Sequence, residues 1–134
     1  MKSCITALFL FISGIAFGQD YINDNNFDDK IHEKSAFGDD EVSIVVVEFW
    51  AKFNESNAFA DWNKVKGITH YYRIDVATSP IAKKEYRIRM APTILIFKDG
   101  VLEESFKAGL DLECPVDLPE LQETIDDVKQ SSKF

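Results

Sequence analysis

Sulfur, imidazole and positive charge are all in short supply in this chain. It carries two cysteines and two histidines, and 15 basic residues against 23 acidic ones give a net charge of −8. His32, His70 and Cys114 show none of the paired His-x3-His or Cys-x2-Cys spacing that zinc sites use, so no metal centre is expected. Asp20, Asn23, Asp24, Asp28 and Asp29 lack the glycine turn and closing glutamate of a calcium loop, and read as a solvated arm. The deficit of Lys and Arg makes nucleic acid a poor partner. Phosphate binding needs clustered cations, and a net negative surface repels that ligand over a Debye length of about 8 Å. No apolar run reaches the roughly 20 residues of a membrane-spanning helix. No cofactor is expected.

One apolar run is informative by its position. Lys2 precedes the apolar run Ile5 to Phe17, and small residues stand at Ala16 and Gly18, the pattern of a secretory signal peptide cleaved near Gly18. A buried N-terminal strand or helix is the competing assignment. Lipoprotein processing is disfavoured, because Cys4 precedes the apolar run. The mature chain is then expected to be exported, periplasmic or extracellular, with 14 basic and 23 acidic residues and a net charge near −9. Its one remaining thiol, Cys114, has no internal disulfide partner. It is a partly buried small apolar residue, a free thiol, or half of a bond to another chain.

The rest of the chain alternates helical and strand patterns. Phe27 and Ile31, with Lys34-Ser35, predict a first helix ending at Gly38. Val42 to Ala51 contains Ile-Val-Val-Val, the composition of a central strand covered on both faces. Asn54 suits a helix N-cap, and Phe59, Trp62 and Val65 give an apolar stripe that runs to Gly67. Ile68 to Val76 reads as a strand, and a helix opens near Pro80 and runs to Ile88. Thr93 to Phe97 and Val101 to Ala108 form a hairpin about Asp99-Gly100. Leu118 to Val128 closes the chain as an amphipathic helix. The pattern predicts an α/β fold, a mixed central β-sheet flanked by helices.

Two landmarks resemble those of a known family. Phe49-Trp50-Ala51-Lys52-Phe53-Asn54-Glu55-Ser56-Asn57 is similar to the thioredoxin signature Phe-Trp-Ala-x-Trp-Cys-Gly-Pro-Cys. Met90-Ala91-Pro92-Thr93, followed by Lys98-Asp99-Gly100, resembles the family's cis-proline strand and hairpin. The resemblance implies a thioredoxin-like fold over 42–129, preceded by the signal peptide at 1–18 and a polar arm with the first helix at 19–41, and followed by a frayed tail at 130–134. It also implies a divergent member, because Asn54 and Asn57 stand where the Cys-x-x-Cys thiols belong. A carboxamide cannot attack a disulfide, so dithiol exchange is excluded at these positions, and Asn54 is expected to cap a helix. Ser56 has no histidine in a segment expected to reach it, and without an adjacent base it is inert.

The resemblance assigns further residues. Glu48 matches the carboxylate buried behind the cysteines, with Tyr71 opposite in place of a lysine; a raised pKa and a hydrogen bond to Tyr71 or water are expected. The proline of the second landmark is cis in the family, and Ala91 before it would offer backbone groups to an extended peptide. Pro92 merely shaping the strand entrance is the alternative. Trp50, Phe53, Ala91 and the loop Ala108-Gly109-Leu110 would line a shallow apolar surface. The segment from Asn54 to Arg73 is short for the family, so its helix should lose about two turns. The loop Leu110 to Asp117 is long and should approach Asn54, bringing Cys114 close to the vacated site. The expected function is a redox-inactive, exported module that binds a protein or extended peptide along the cis-proline edge. The alternative is a monothiol oxidoreductase or mixed-disulfide former using Cys114, whose pKa Glu113 and Asp117 should raise.

Overall fold

Ile44–Trp50 forms the middle strand, β2, and every side chain from Ile44 to Phe49 is buried. A run of β-branched residues with no polar face is stable only where both sheet faces are covered. The computed structural model describes residues 21–33 and 42–131, and it supplies both covers. The elements are β1 (Tyr21–Ile22), α1 (Phe27–Ile31), β2, β3 (His70–Asp75), α2 (Pro80–Glu85), β4 (Thr93–Lys98), β5 (Val101–Lys107) and α3 (Leu118–Gln130). The five strands lie in the order β1-β3-β2-β4-β5. β3 runs parallel to β1 and β2, and β4 is antiparallel to β2 and β5. The sheet is therefore mixed and flanked by helices, as the sequence pattern predicts.

Alternation along β2 sends Val45, Val47 and Phe49 to one face, where Phe27 and Ile31 of α1 and Ala82 of α2 meet them. Ile44 and Val46 face Leu121, Ile125 and Val128 of α3. The hairpin turns at Asp99 and Gly100, with φ of 51° and 84°, the paired left-handed conformation of a tight two-residue hairpin. A side chain at Gly100 would also collide with His32.

Four boundaries depart from expectation: α1 ends at Ile31, with His32 at its C-cap, short of the expected Gly38, and three others differ for a tertiary reason. The polar arm is part of the fold: Tyr21 and Ile22 pair with Arg73 and Ile74, Ile22 enters the core, and Asp24 accepts the N–H groups of Ile81 and Ala82 at 3.0 and 2.8 Å. Asp24 thus caps α2, where the local residue Ser79 makes no cap bond. The last helix runs to Gln130, two residues past the expected end at Val128. Lys98 of β4 is buried and its Nζ donates to the carbonyls of Val128 and Ser131, placing a cation at the negative helix end. Between β2 and β3 no α-helix forms. The signal peptide, Lys34-Ser35, Gly38 and residues 132–134 lie outside the described residues. Among the described residues, no helix is long and apolar enough to cross a membrane.

Lys98→Met keeps the apolar stem and removes the charged bonds to α3. It should lower unfolding stability by about 2 kcal/mol in urea titration, with backbone amides at the end of α3 losing hydrogen-exchange protection first.

Candidate functional site

The chain leaves β2 at Trp50 into a 3-10 turn over Lys52–Asn57 and a second over Trp62–Lys64. Their cause lies in the strand beneath. Glu48 is fully buried, and its Oε2 accepts the backbone N–H of Phe59 at 2.8 Å. That donor would otherwise serve residue 55 in an α-helix, and Asn54, Ser56, Asn57 and Asp61 compete with a helix through their own side chains. Ala58 is accordingly extended, with φ −66° and ψ 153°. Phe59 and Trp62 still reach the core on the α3 side, so the apolar stripe is kept while the helix is lost entirely.

The partner of Glu48 is Arg73, not Tyr71. β2 and β3 place them opposite each other in register, and Glu48 Oε1 accepts from Arg73 Nε at 2.9 Å and Nη2 at 2.8 Å. Tyr71 instead stacks on Trp62, with ring centroids 4.3 Å apart. Burial pushes the Glu48 carboxyl up from its ordinary value, and the Arg73 charge and the Phe59 N–H pull it back. Trp50 turns to this same group: its ring lies 5.6 Å from the Arg73 guanidinium and 5.9 Å from Tyr21. It does not join Phe53 and Ala91 in an apolar surface.

Asn54 is not a helix cap. It sits inside the first 3-10 turn with φ −121° and ψ 27°, and the residue at the cap position is Ala51. Its Nδ2 donates to the carbonyls of Ala91 and Leu112, both at 2.8 Å, and its Oδ1 accepts from Asn57 Nδ2 at 2.8 Å. The carboxamide thereby joins three segments: the turn after β2, the loop before β4, and the long loop before α3. The Ala91-Pro92 peptide bond is cis. Ala91 is only 5% exposed, and its carbonyl accepts from Asn54.

The long loop does reach Asn54, but through Leu112. Cys114 is half-buried against the α3-side core, and its Sγ donates to the Val116 carbonyl at 3.3 Å. Burial raises its pKa, with the Glu48 charge adding to it; Glu113 and Asp117 are not the cause.

Two adjoining cavities share Arg89 and Met90, and the smaller reaches the Asn54 clasp through Ala91 and Leu112. One, of about 180 Å³, is lined by Ala51, Phe53, Lys83, Ala91 and Leu112 among others. The other, of about 460 Å³, lies between Arg87, Arg89 and Met90 on one side and Lys107, Gly109 and Leu110 on the other. Phe53 and Leu110 stand 80% and 90% exposed beside them. Sequence reasoning missed the basic residues. Their signal was the alternation Arg87-Ile88-Arg89-Met90 just before Ala91-Pro92. Arg73 was legible too, as the lone cation within the β3 run.

No family model matches the chain. A stretch of 41 residues, 31% of the chain, is 42% identical to Thioredoxin-2 of Pyricularia oryzae and spans 24% of that protein. A single-substitution mutant of the thioredoxin from Halobacterium salinarum superimposes with a TM-score of 0.62, covering 85% of this chain and 92% of its own at 17% identity. The chain has the thioredoxin fold. In that thioredoxin-like frame, the corner after β2 is filled by a satisfied amide network.

Asn54→Asp keeps the shape but sets carboxylate oxygens against two carbonyls. It should cost about 2 to 4 kcal/mol of stability by denaturant titration, whereas Ser56→Ala, at an exposed neighbour, should change it little. An Asn54→Asp variant as stable as the parent would mean the clasp is not formed.

Proposed function

We propose that this chain is an exported, redox-inactive thioredoxin-like module that binds a protein or extended peptide. The observation that carries it is the commitment of Asn54. Where the resemblance places a nucleophilic sulfur, a carboxamide spends both donor hydrogens and its oxygen on Ala91, Leu112 and Asn57. The carboxamides of Asn54 and Asn57 cannot take part in thiol-disulfide exchange, while Phe53 and Leu110 nearby expose large apolar side chains. Exposed apolar groups grouped around a rigid corner suit recognition without chemistry. The contact surface comprises the two cavities, and Ala91 itself lines the smaller one.

Cys114 is poorly placed for mixed-disulfide chemistry. Its thiol is half-buried and hydrogen-bonded, and its raised pKa leaves little thiolate at neutral pH. Because burial and the Glu48 charge both disfavour the anion, alkylation by iodoacetamide should be slow at neutrality and accelerate only as pH climbs past about 8.5. Fast labelling at pH 7 would return the thiol to consideration.

Dithiothreitol-driven insulin reduction should show no rate above background, and robust turnover would refute the proposal. Asn54→Cys with Asn57→Cys should restore little activity. No α-helix starts at these positions to lower a thiol pKa, and burial at position 54 would raise it. Binding is tested with Phe53→Ala combined with Leu110→Ala, two exposed positions whose truncation leaves the core intact. A partner captured by the exported protein should be lost with this pair and retained with Cys114→Ser; the reverse pattern would favour the thiol.

A further inference from the structure

The larger cavity has a charge that the rest of the chain does not. Arg87, Arg89 and Lys107 line it with no carboxylate among its lining residues, and the adjoining smaller cavity adds Lys83 and shares Arg89 and Met90. The chain has 23 acidic residues and only three arginines. One arginine, Arg73, is committed to Glu48, and the other two both stand here. Among the described residues, none of these four cations forms an ion pair, although carboxylates outnumber cations. Asp111, next to the rim, turns its Oδ1 to the N–H of Glu113 at 3.1 Å. Arg87 also holds a left-handed backbone, φ 54°, just past the end of α2, where glycine is the unstrained choice.

We propose that this cavity docks the carboxylates of an extended acidic segment of a partner protein, an assignment that rests on the binding-module function above. Two guanidinium forks suit carboxylates, which they engage through paired N–H donors. Phe53 and Leu110 take apolar side chains of the same segment on either flank. The remaining surface, negative in sum, repels an acidic chain and confines it to this patch, so charge supplies orientation as well as attraction. An extended segment projects alternate side chains about 7 Å apart on one face, which allows successive carboxylates to meet separate cations.

The test uses the whole exported chain and a labelled peptide of about ten residues in which Glu alternates with Thr around one Leu, compared with the same peptide bearing Gln for Glu. The Glu peptide should bind about tenfold tighter at low salt, through a few exposed ion pairs, and the ratio should fall toward one at about 0.5 M salt. In nitrogen-15 spectra the side-chain N–H signals of Arg87 and Arg89 should shift while that of Arg73 stays. Arg87→Gly should weaken the Glu peptide several-fold while raising the thermal midpoint, so the loss cannot be ascribed to misfolding. Equal affinity for the two peptides, or no effect of Arg87→Gly combined with Arg89→Gln, overturns the acidic preference. If the Gln peptide binds equally and is lost with Phe53→Ala and Leu110→Ala, the module stands and only its charge selectivity falls. If neither peptide binds, the acidic-segment proposal fails, and the module is judged on its captured partner alone. A single-stranded oligonucleotide that binds as tightly as the Glu peptide overturns the commitment to a polypeptide.

Discussion

The buried carboxylate of Glu48 is the constraint on which the functional end of this fold depends. One oxygen takes two donors from Arg73 on the neighbouring strand, and the other takes the Phe59 N–H from the segment above. An ion pair so deeply enclosed is a poor source of stability on its own, because desolvating two charges offsets much of their attraction. Its effect is positional. By drawing the Phe59 amide down to the sheet, Glu48 removes a donor an α-helix would need and converts the expected helix into two short 3-10 turns. Trp62 stacked on Tyr71, and Trp50 beside Arg73 and Tyr21, then cover the strands in its place.

Losing that helix changes what the corner can do. A helix N-terminus would concentrate unpaired N–H groups and a favourable potential for an anion there. In the 3-10 turn no such concentration exists, and Asn54 turns instead to carbonyl oxygens. The amide supplies donors, which a thiolate could not, so hydrogen bonds to the Ala91 and Leu112 carbonyls hold this corner together. The sulfur and the α-helix dipole that would activate it are absent together, which supports the redox-inactive role proposed above.

Much of this frame was legible in the sequence, because its signals are local or strongly periodic. The apolar run of β2, the Asp99-Gly100 hairpin and the stripe of Leu121, Ile125 and Val128 each identify an element from its own residues. The errors share a cause in contacts distant along the chain. Asn54 has the chemistry of a cap, and only the proximity of Ala91 and Leu112 shows that its amide is used otherwise. The segment from Phe59 to Val65 has helical spacing, but a carboxylate eleven positions before Phe59 takes a backbone donor from it. Tyr71 was assigned opposite Glu48 by analogy, whereas parallel pairing sets Arg73 there. Asp24 looked like part of a solvated arm until its cap on α2, 57 and 58 residues away, was visible.

The two halves of the site obey opposite rules of charge and burial. Inside, Glu48, Arg73 and Asn54 are enclosed with their hydrogen bonds made, so changing one of them disturbs the fold before it alters recognition. Outside, Arg87, Arg89, Lys83 and Lys107 are exposed and free of ion pairs with described residues, in a chain with acid to spare. Unpaired like charges gathered on one rim repel one another, and Arg87 adds the strain of a left-handed backbone. Neither feature helps the fold, and a glycine at 87 or an acid among the cations would relieve it. A local cost without a local structural return is the motive for the anionic partner proposed above, whose charge would be opposite to that of the rim.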